Sequence, residues 1–223
     1  MKNQNMPPAD AASNLRTPKA AAVAGIAFSL LTLVVFGLLW SSIPSDLGES
    51  GKWLPTSSNT VALALNMVPF AGIAFLWFIG VLRDHIGRRE DRFFASVFFG
   101  SGLLFLAMFF VAAAAVGAIL IAHNAAPDAF ANSEVFHFAR ATTYSVVNIY
   151  MVKMAAVFMI STSTVAISTG FVSRWLALLG YLFSRLLLFG SYWFRWSFVV
   201  FPLWVLVISV RLLWEDIHHP GPN

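Results

Sequence analysis

Six long apolar stretches occupy most of this 223-residue chain. An α-helix rises about 1.5 Å per residue, so about 20 apolar residues cross a hydrocarbon layer about 30 Å thick. Lipid offers no hydrogen-bond partners to the backbone N–H and C=O groups, and a helix pairs these groups with one another. The sequence therefore predicts an all-α polytopic integral membrane protein with six transmembrane helices. The predicted spans are residues 20–41, 60–82, 93–122, 144–168, 175–194 and 196–214.

The composition leaves almost no residues for a soluble domain. Charged residues make up 11% of the chain, whereas soluble proteins contain about 25%. We expect a disordered cytoplasmic tail over 1–19, a single helix bundle over 20–214 and a short cytoplasmic tail over 215–223. The chain has no cysteine, which excludes disulfides and thiolate chemistry. No cofactor and no metal site are predicted.

The distribution of lysine and arginine predicts the orientation. Nine lie in the termini and in the second and fourth loops, whereas three lie in the first, third and fifth loops. Cytoplasmic loops carry the excess of Lys and Arg, so both termini are predicted to be cytoplasmic. The same rule explains why basic residues lie at the helix ends, so no nucleic-acid partner is predicted. The predicted location is the plasma (inner) membrane, crossed several times.

Two cations, Lys153 and Arg185, fall inside predicted spans. All 10 acidic residues lie outside the six spans, so neither cation has a carboxylate at its own depth. A charge in the bilayer is costly, and such residues usually face the bundle or a wet cavity. Tyr150 and Thr164 share a polar stripe with Lys153, and Tyr181 lies on the same side of its helix as Arg185.

These five residues are the predicted ligand-binding site, for a lipid, an anionic small molecule or a quinone-like molecule between spans four and five. The alternative is that both side chains extend toward the membrane surface and bind no ligand. The two interpretations stay open at this point.

A second motif lies between spans two and three. Residues 80–89 read Gly-Val-Leu-Arg-Asp-His-Ile-Gly-Arg-Arg. This stretch resembles the loop motif of major facilitator transporters, G-x-L-x-D-x-x-G-R-[KR]. The resemblance implies that Gly80 allows close helix approach, that Asp84 lies at the start of a neighbouring helix, that Gly87 belongs to the loop and that Arg88 pairs with an acid. A solvated ion-pair loop is the alternative.

Residues 68–80, followed by Glu-Asp-Arg-Phe-Phe at 90–94 and Arg-Trp-Leu-Ala-Leu-Leu-Gly-Tyr at 174–181, suggest a further resemblance. Over residues 60–210 the chain resembles a group of bacterial six-span membrane proteins of unknown function. That resemblance implies the fold and the location but no activity.

The combined prediction is a non-enzymatic membrane protein. It would bind membrane lipid, a quinone-like or anionic small molecule, or a partner membrane protein within the helix bundle. One alternative is a half-size transporter that acts as a dimer, so association with a second copy stays open. Another is a membrane-embedded enzyme, although no G-x-S-x-G, H-E-x-x-H or Walker motif is present.

Overall fold

The structure, a computed structural model, describes residues 18–86, 92–170, 172–190 and 197–218. These residues form helices and no strand. The α-helices are α1 (Pro18–Ser42), α2 (Leu54–Ile86), α3 (Arg92–Ala125), α4 (Pro127–Phe130), α5 (Glu134–Ser145), α6 (Val152–Thr169), α7 (Arg174–Phe189) and α8 (Ser197–His218). A 3-10 turn (Gly51–Trp53) precedes α2, and a π-helix (Val146–Met151) joins α5 to α6.

Five helical segments of the described chain are long and apolar enough to cross a membrane: Lys19–Ser42, Gly51–Arg83, Phe93–Ala125, Glu134–Thr169 and Ser197–Trp214. The protein is therefore a multi-pass membrane protein in its overall architecture. α7 is the exception, because its 16 residues measure about 24 Å, less than a hydrocarbon layer of about 30 Å. The predicted span 175–194 also includes residues 191–194, which lie outside the described residues.

Two predicted boundaries are wrong. The second span was expected to begin near residue 60, but α2 already begins at Leu54. The predicted third loop, residues 123–143, is largely helical and contains α4 and most of α5. The reason is a second apolar core at this end of the bundle, in which Phe136 of α5 packs with Leu54 and Val61 of α2. Ser133 caps α5 by accepting a hydrogen bond from the backbone N–H of Phe136.

α5, the π-helix and α6 form one continuous helical segment of 36 residues, Glu134–Thr169. It ends at Gly170, which has a φ of 71°. This left-handed conformation is inexpensive for glycine and is a common end of helices. α7 then packs along α6, while α1 packs along both α2 and α8.

α7 approaches its neighbours closely through small residues. Its small residues Ala177, Gly180 and Ser184 are buried, whereas its large residues Trp175 and Leu182 are exposed. A Cβ atom on Gly180 would overlap Ser163 Oγ and would lie 2.9 Å from the Trp204 ring. Small residues at helix interfaces allow this close approach.

Five phenylalanine rings form the centre of the bundle, one from each of the five long apolar segments. They are Phe28 of α1, Phe75 of α2, Phe105 of α3, Phe158 of α6 and Phe201 of α8, and each is at most 2% exposed. The Phe75 ring lies 4.6 Å from Phe28, 5.2 Å from Phe105, 5.5 Å from Phe158 and 5.9 Å from Phe201, measured between ring centroids. We call these residues the phenylalanine cluster. It fixes the mutual position of five helices.

Truncating the central ring should therefore destabilise the fold. We expect Phe75→Ala to lower the free energy of unfolding by about 3–5 kcal/mol, because the variant leaves a cavity among four rings. Phe70 lies on the same helix and is 65% exposed, so Phe70→Ala is the matched control and should change stability little. Unfolding in mixed detergent micelles measures both variants. Equal destabilisation by the two substitutions would contradict a central role for the cluster.

Candidate functional site

A cavity of about 570 Å³ lies at the end of the bundle where the first and third loops meet. Drug-sized ligands occupy cavities of about 300–1,000 Å³. Its walls come from the end of α1, the first loop, α3, α5, the π-helix and the start of α8. The lining includes Phe36, Leu39, Trp40, Pro44, Leu47, Trp53, Val116, Ile119, Arg140, Thr143, Tyr144, Val147, Asn148 and Phe198. We call this the Arg140 cavity.

Arg140 is the charged side chain in the wall, and it is only 6% exposed. Its guanidinium donates hydrogen bonds to the backbone oxygens of Pro44, at 2.7 Å, and Glu49, at 2.9 Å. It also lies over the Phe136 ring, with Cζ 5.7 Å from the centroid. These contacts fasten the first loop to α5. Because arginine does not lose its proton in proteins, the cavity wall carries a permanent positive charge.

The negative charges near Arg140 belong to the same loop. Burial of the guanidinium opposes its charge, and the carboxylates of Glu49 and Asp46 attract it and offset part of that cost. Asp46 Oδ1 also accepts a hydrogen bond of 2.9 Å from the backbone N–H of Gly48, which shapes the loop. The first loop therefore supplies hydrogen-bond acceptors to Arg140, and Arg140 also lines the cavity.

Other hydrogen-bonding groups in the wall are also suited to an electron-rich oxygen. Trp53 lines the cavity, and its Nε1 is buried without a hydrogen-bond partner among the described residues. A buried donor of this kind is costly unless it finds an acceptor. Tyr144 contributes a phenol, which can donate or accept. Together with Arg140, these side chains and the polar residues Ser41, Ser42, Ser45, Thr143 and Asn148 give a mostly apolar cavity its polar part.

The π-helix forms part of this wall through Val147 and Asn148. Such helices are rare, and they occur frequently at functional sites. The Asn148 side chain donates a 3.0 Å hydrogen bond to the backbone oxygen of Tyr144, one helical turn earlier. The same segment thus supplies an irregular backbone and two lining side chains.

Aromatic contacts connect the cavity to the phenylalanine cluster. Phe109 stacks on Phe105 of the cluster, at 6.0 Å between centroids, and contacts Phe36 at 6.2 Å. Phe36 in turn contacts Phe198 at 4.9 Å, and both rings line the cavity. These contacts connect the apolar part of the cavity to the phenylalanine cluster.

The predicted Lys153–Arg185 site lies elsewhere, on the outer face of α6 and α7. Thr164 and Tyr181 are joined by a 2.8 Å hydrogen bond between their hydroxyls. Lys153, Tyr150 and Arg185 are exposed, and the Arg140 cavity is not lined by any of these five residues. The expectation that both cations face the bundle interior is therefore not met. A ligand at these residues stays a prediction.

The predicted loop motif is only partly within the described residues. Gly80 lies inside α2, and a Cβ atom there would meet no atom within 4 Å. Asp84 also belongs to α2. Gly87 and Arg88 lie outside the described residues. The transporter interpretation of this motif stays a prediction.

Sequence reasoning missed the Arg140 cavity because it counted Arg140 as a polar loop residue. One signal was present in the sequence, because Ser133 and Glu134 have the pattern of a helix start. That start predicts a helix on which Phe136 and Arg140, four residues apart, share a face. The burial of this face against the first loop depends on tertiary packing.

The contacts of Arg140 predict a stabilising role. In Arg140→Met, the oxygens of Pro44 and Glu49 lose charged hydrogen-bond partners, so we expect a loss of about 3 kcal/mol in unfolding free energy. Protease cleavage within the first loop should also become faster. Lys52→Met removes an exposed cation next to the same loop and should leave both measurements unchanged. An Arg140→Met variant as stable and protease-resistant as Lys52→Met would show that the loop does not depend on Arg140.

Comparison of the chain with protein-family models, with curated proteins and with solved structures found no match in any of the three. The resemblances described from the sequence therefore stay predictions. The function proposed below is argued from the geometry of the Arg140 cavity.

Proposed function

We propose that this membrane protein binds one amphipathic small molecule, a lipid or a quinone-like compound, in the Arg140 cavity. The observation that carries the proposal is a mostly apolar cavity whose lining includes the buried cation Arg140 and Trp53, whose indole Nε1 has no hydrogen-bond partner among the described residues. Both groups are donors, so the complementary head group presents oxygen acceptors such as a carbonyl, carboxylate or phosphate.

The remaining lining suits the apolar part of the same molecule. Phe36, Leu39, Val116, Ile119 and Phe198 offer apolar surface and no charge. Ligand sites usually combine a mostly apolar lining with a few polar groups that orient the ligand. The proposed pose places the head group toward Arg140, Trp53 and Tyr144 and the apolar part toward Phe36 and Phe198.

In the proposed topology the chain crosses the plasma membrane six times, and both termini lie in the cytoplasm. α7 contributes the crossing that is additional to the five long segments. The excess of Lys and Arg in the termini and in the second and fourth loops supports this orientation. The Arg140 cavity then lies at the outer end of the bundle, near the lipid head groups. An amphipathic ligand at this depth keeps its polar part close to water.

The experiment is to purify the protein in lipid nanodiscs and to identify bound molecules by native mass spectrometry. We expect one amphipathic molecule per chain. Val147→Trp fills the cavity from the π-helix and should abolish this binding. Ile149→Trp is the matched control, because Ile149 belongs to the same π-helix, is 41% exposed and does not line the cavity.

The same measurement separates binding from general lipid association. Lipid around the bundle should be retained equally by both variants, whereas a molecule in the cavity should be lost only from Val147→Trp. If no molecule is bound, or if both variants retain it equally, the cavity is not the binding site.

A further inference from the structure

Lys153 and Arg185 are exposed, and the proposed six-crossing topology, on which this inference rests, places both at membrane depth. The hydrogen bond between Thr164 and Tyr181 fixes the register of α6 against α7. From this pair, Lys153 lies 11 residues along α6 and Arg185 lies 4 residues along α7, in the same direction. The two cations therefore differ in depth by about 10 Å.

The sequence places no acid close to either cation along its own helix. Within the described residues, no hydrogen bond or ion pair involves the side chain of Lys153 or Arg185. None of the 10 acidic residues lies between Glu134 and Glu215, and Glu134 is 19 residues from Lys153, or about 28 Å along the helix. A second copy of the chain has the same sequence and likewise lacks an acid within its spans. A carboxylate at this depth would therefore come from outside the chain, and a transmembrane helix of another protein is one source.

The exposed face of α7 has the spacing of a helix-packing seam. Trp175, Leu178, Leu182, Arg185 and Phe189 are exposed and are spaced alternately three and four residues apart. The same spacing is found where one helix packs along another, and a single polar residue at such positions specifies how the helices pair. Polar and ionisable groups inside membranes usually pair with one another. A helix that packs on this seam therefore needs a group that pairs with Arg185.

We propose that the face of α6 and α7 binds a transmembrane helix of another protein that carries an aspartate or glutamate at the depth of Arg185. The guanidinium binds a carboxylate through two parallel hydrogen bonds, and Lys153 adds positive charge nearby. The apolar residues of the seam supply the packing on either side. This inference is independent of the proposed ligand function, because the face shares no residue with the lining of the Arg140 cavity.

The test uses the full chain in vesicles of neutral phosphatidylcholine at pH 8. The probe is a synthetic polyleucine transmembrane helix with one aspartate in its outer half, and the matched probe has leucine at that position. Energy transfer from a donor on Val135→Cys, an exposed site in a chain without cysteine, to an acceptor on the peptide reports association. We expect the aspartate helix to bind about tenfold more tightly than the leucine helix.

Substitutions then assign the preference to the two cations. Arg185→Gln should remove it, Lys153→Gln should reduce it, and Arg185→Lys should retain part of it. Arg174→Gln is the control, because Arg174 is an exposed cation at the start of the same helix. Unchanged unfolding of the labelled protein shows that a lost preference does not arise from misfolding.

Three results would overturn the proposal. The first is equal binding of the aspartate and leucine helices to the unsubstituted chain. The second is a preference that survives both Arg185→Gln and Lys153→Gln. The third is loss of the preference when one-fifth of the lipid is replaced by anionic phosphatidylglycerol, which would identify lipid as the occupant of this face.

Discussion

The contact of five phenylalanine rings at the centre of the bundle is the interaction on which the rest of the structure depends. Apolar burial does not drive helices together in lipid, because lipid is as apolar as the side chains. Close packing must hold the bundle instead, and Phe75 contacts a ring from each of the four other long segments. The aromatic chain through Phe109 and Phe36 extends this packing to the Arg140 cavity. The cavity is thus built on the most constrained part of the molecule.

The first loop completes the cavity from the opposite side. Arg140 holds the backbone oxygens of Pro44 and Glu49, and the backbone N–H of Gly51 donates a 2.8 Å hydrogen bond to the oxygen of Ala131. The first loop and the α4–α5 region therefore meet at one end of the bundle. The cavity therefore combines polar residues near the first loop with apolar residues that contact the phenylalanine cluster. This arrangement is suited to orienting an amphipathic molecule.

Apolar length alone predicted the helical architecture, because a long run without charge has few other stable states in lipid. Five of the six predicted spans correspond to helices long enough to cross a membrane, and α7 covers most of the remaining one, residues 175–194. The short helices α4 and α5 were not predicted, since their formation depends on Phe136 packing against Leu54 and Val61. The sequence of residues 146–151 does not predict the π-helix that they form.

Periodicity located the polar side of α6 and α7 but not the direction in which that side faces. Thr164 of α6 and Tyr181 of α7, one from each predicted polar side, are joined by a hydrogen bond. However, the small residues Gly180 and Ser184 occupy the inner face of α7, so Arg185 lies outside. Which face packs inward depends on how closely the neighbouring helices approach, and a single helix's pattern does not contain that information.

The topology that we propose, with six crossings, places the Arg140 cavity at the outer surface of the membrane. Single-cysteine labelling tests it directly, because the chain has no cysteine of its own. Leu47→Cys, in the exposed first loop, should react with a membrane-impermeant maleimide on intact cells. Phe93→Cys, at the start of α3, and Trp214→Cys, near the end of α8, should react only after permeabilisation. Labelling of Trp214→Cys but not Phe93→Cys on intact cells, or no labelling of Leu47→Cys, would contradict the account.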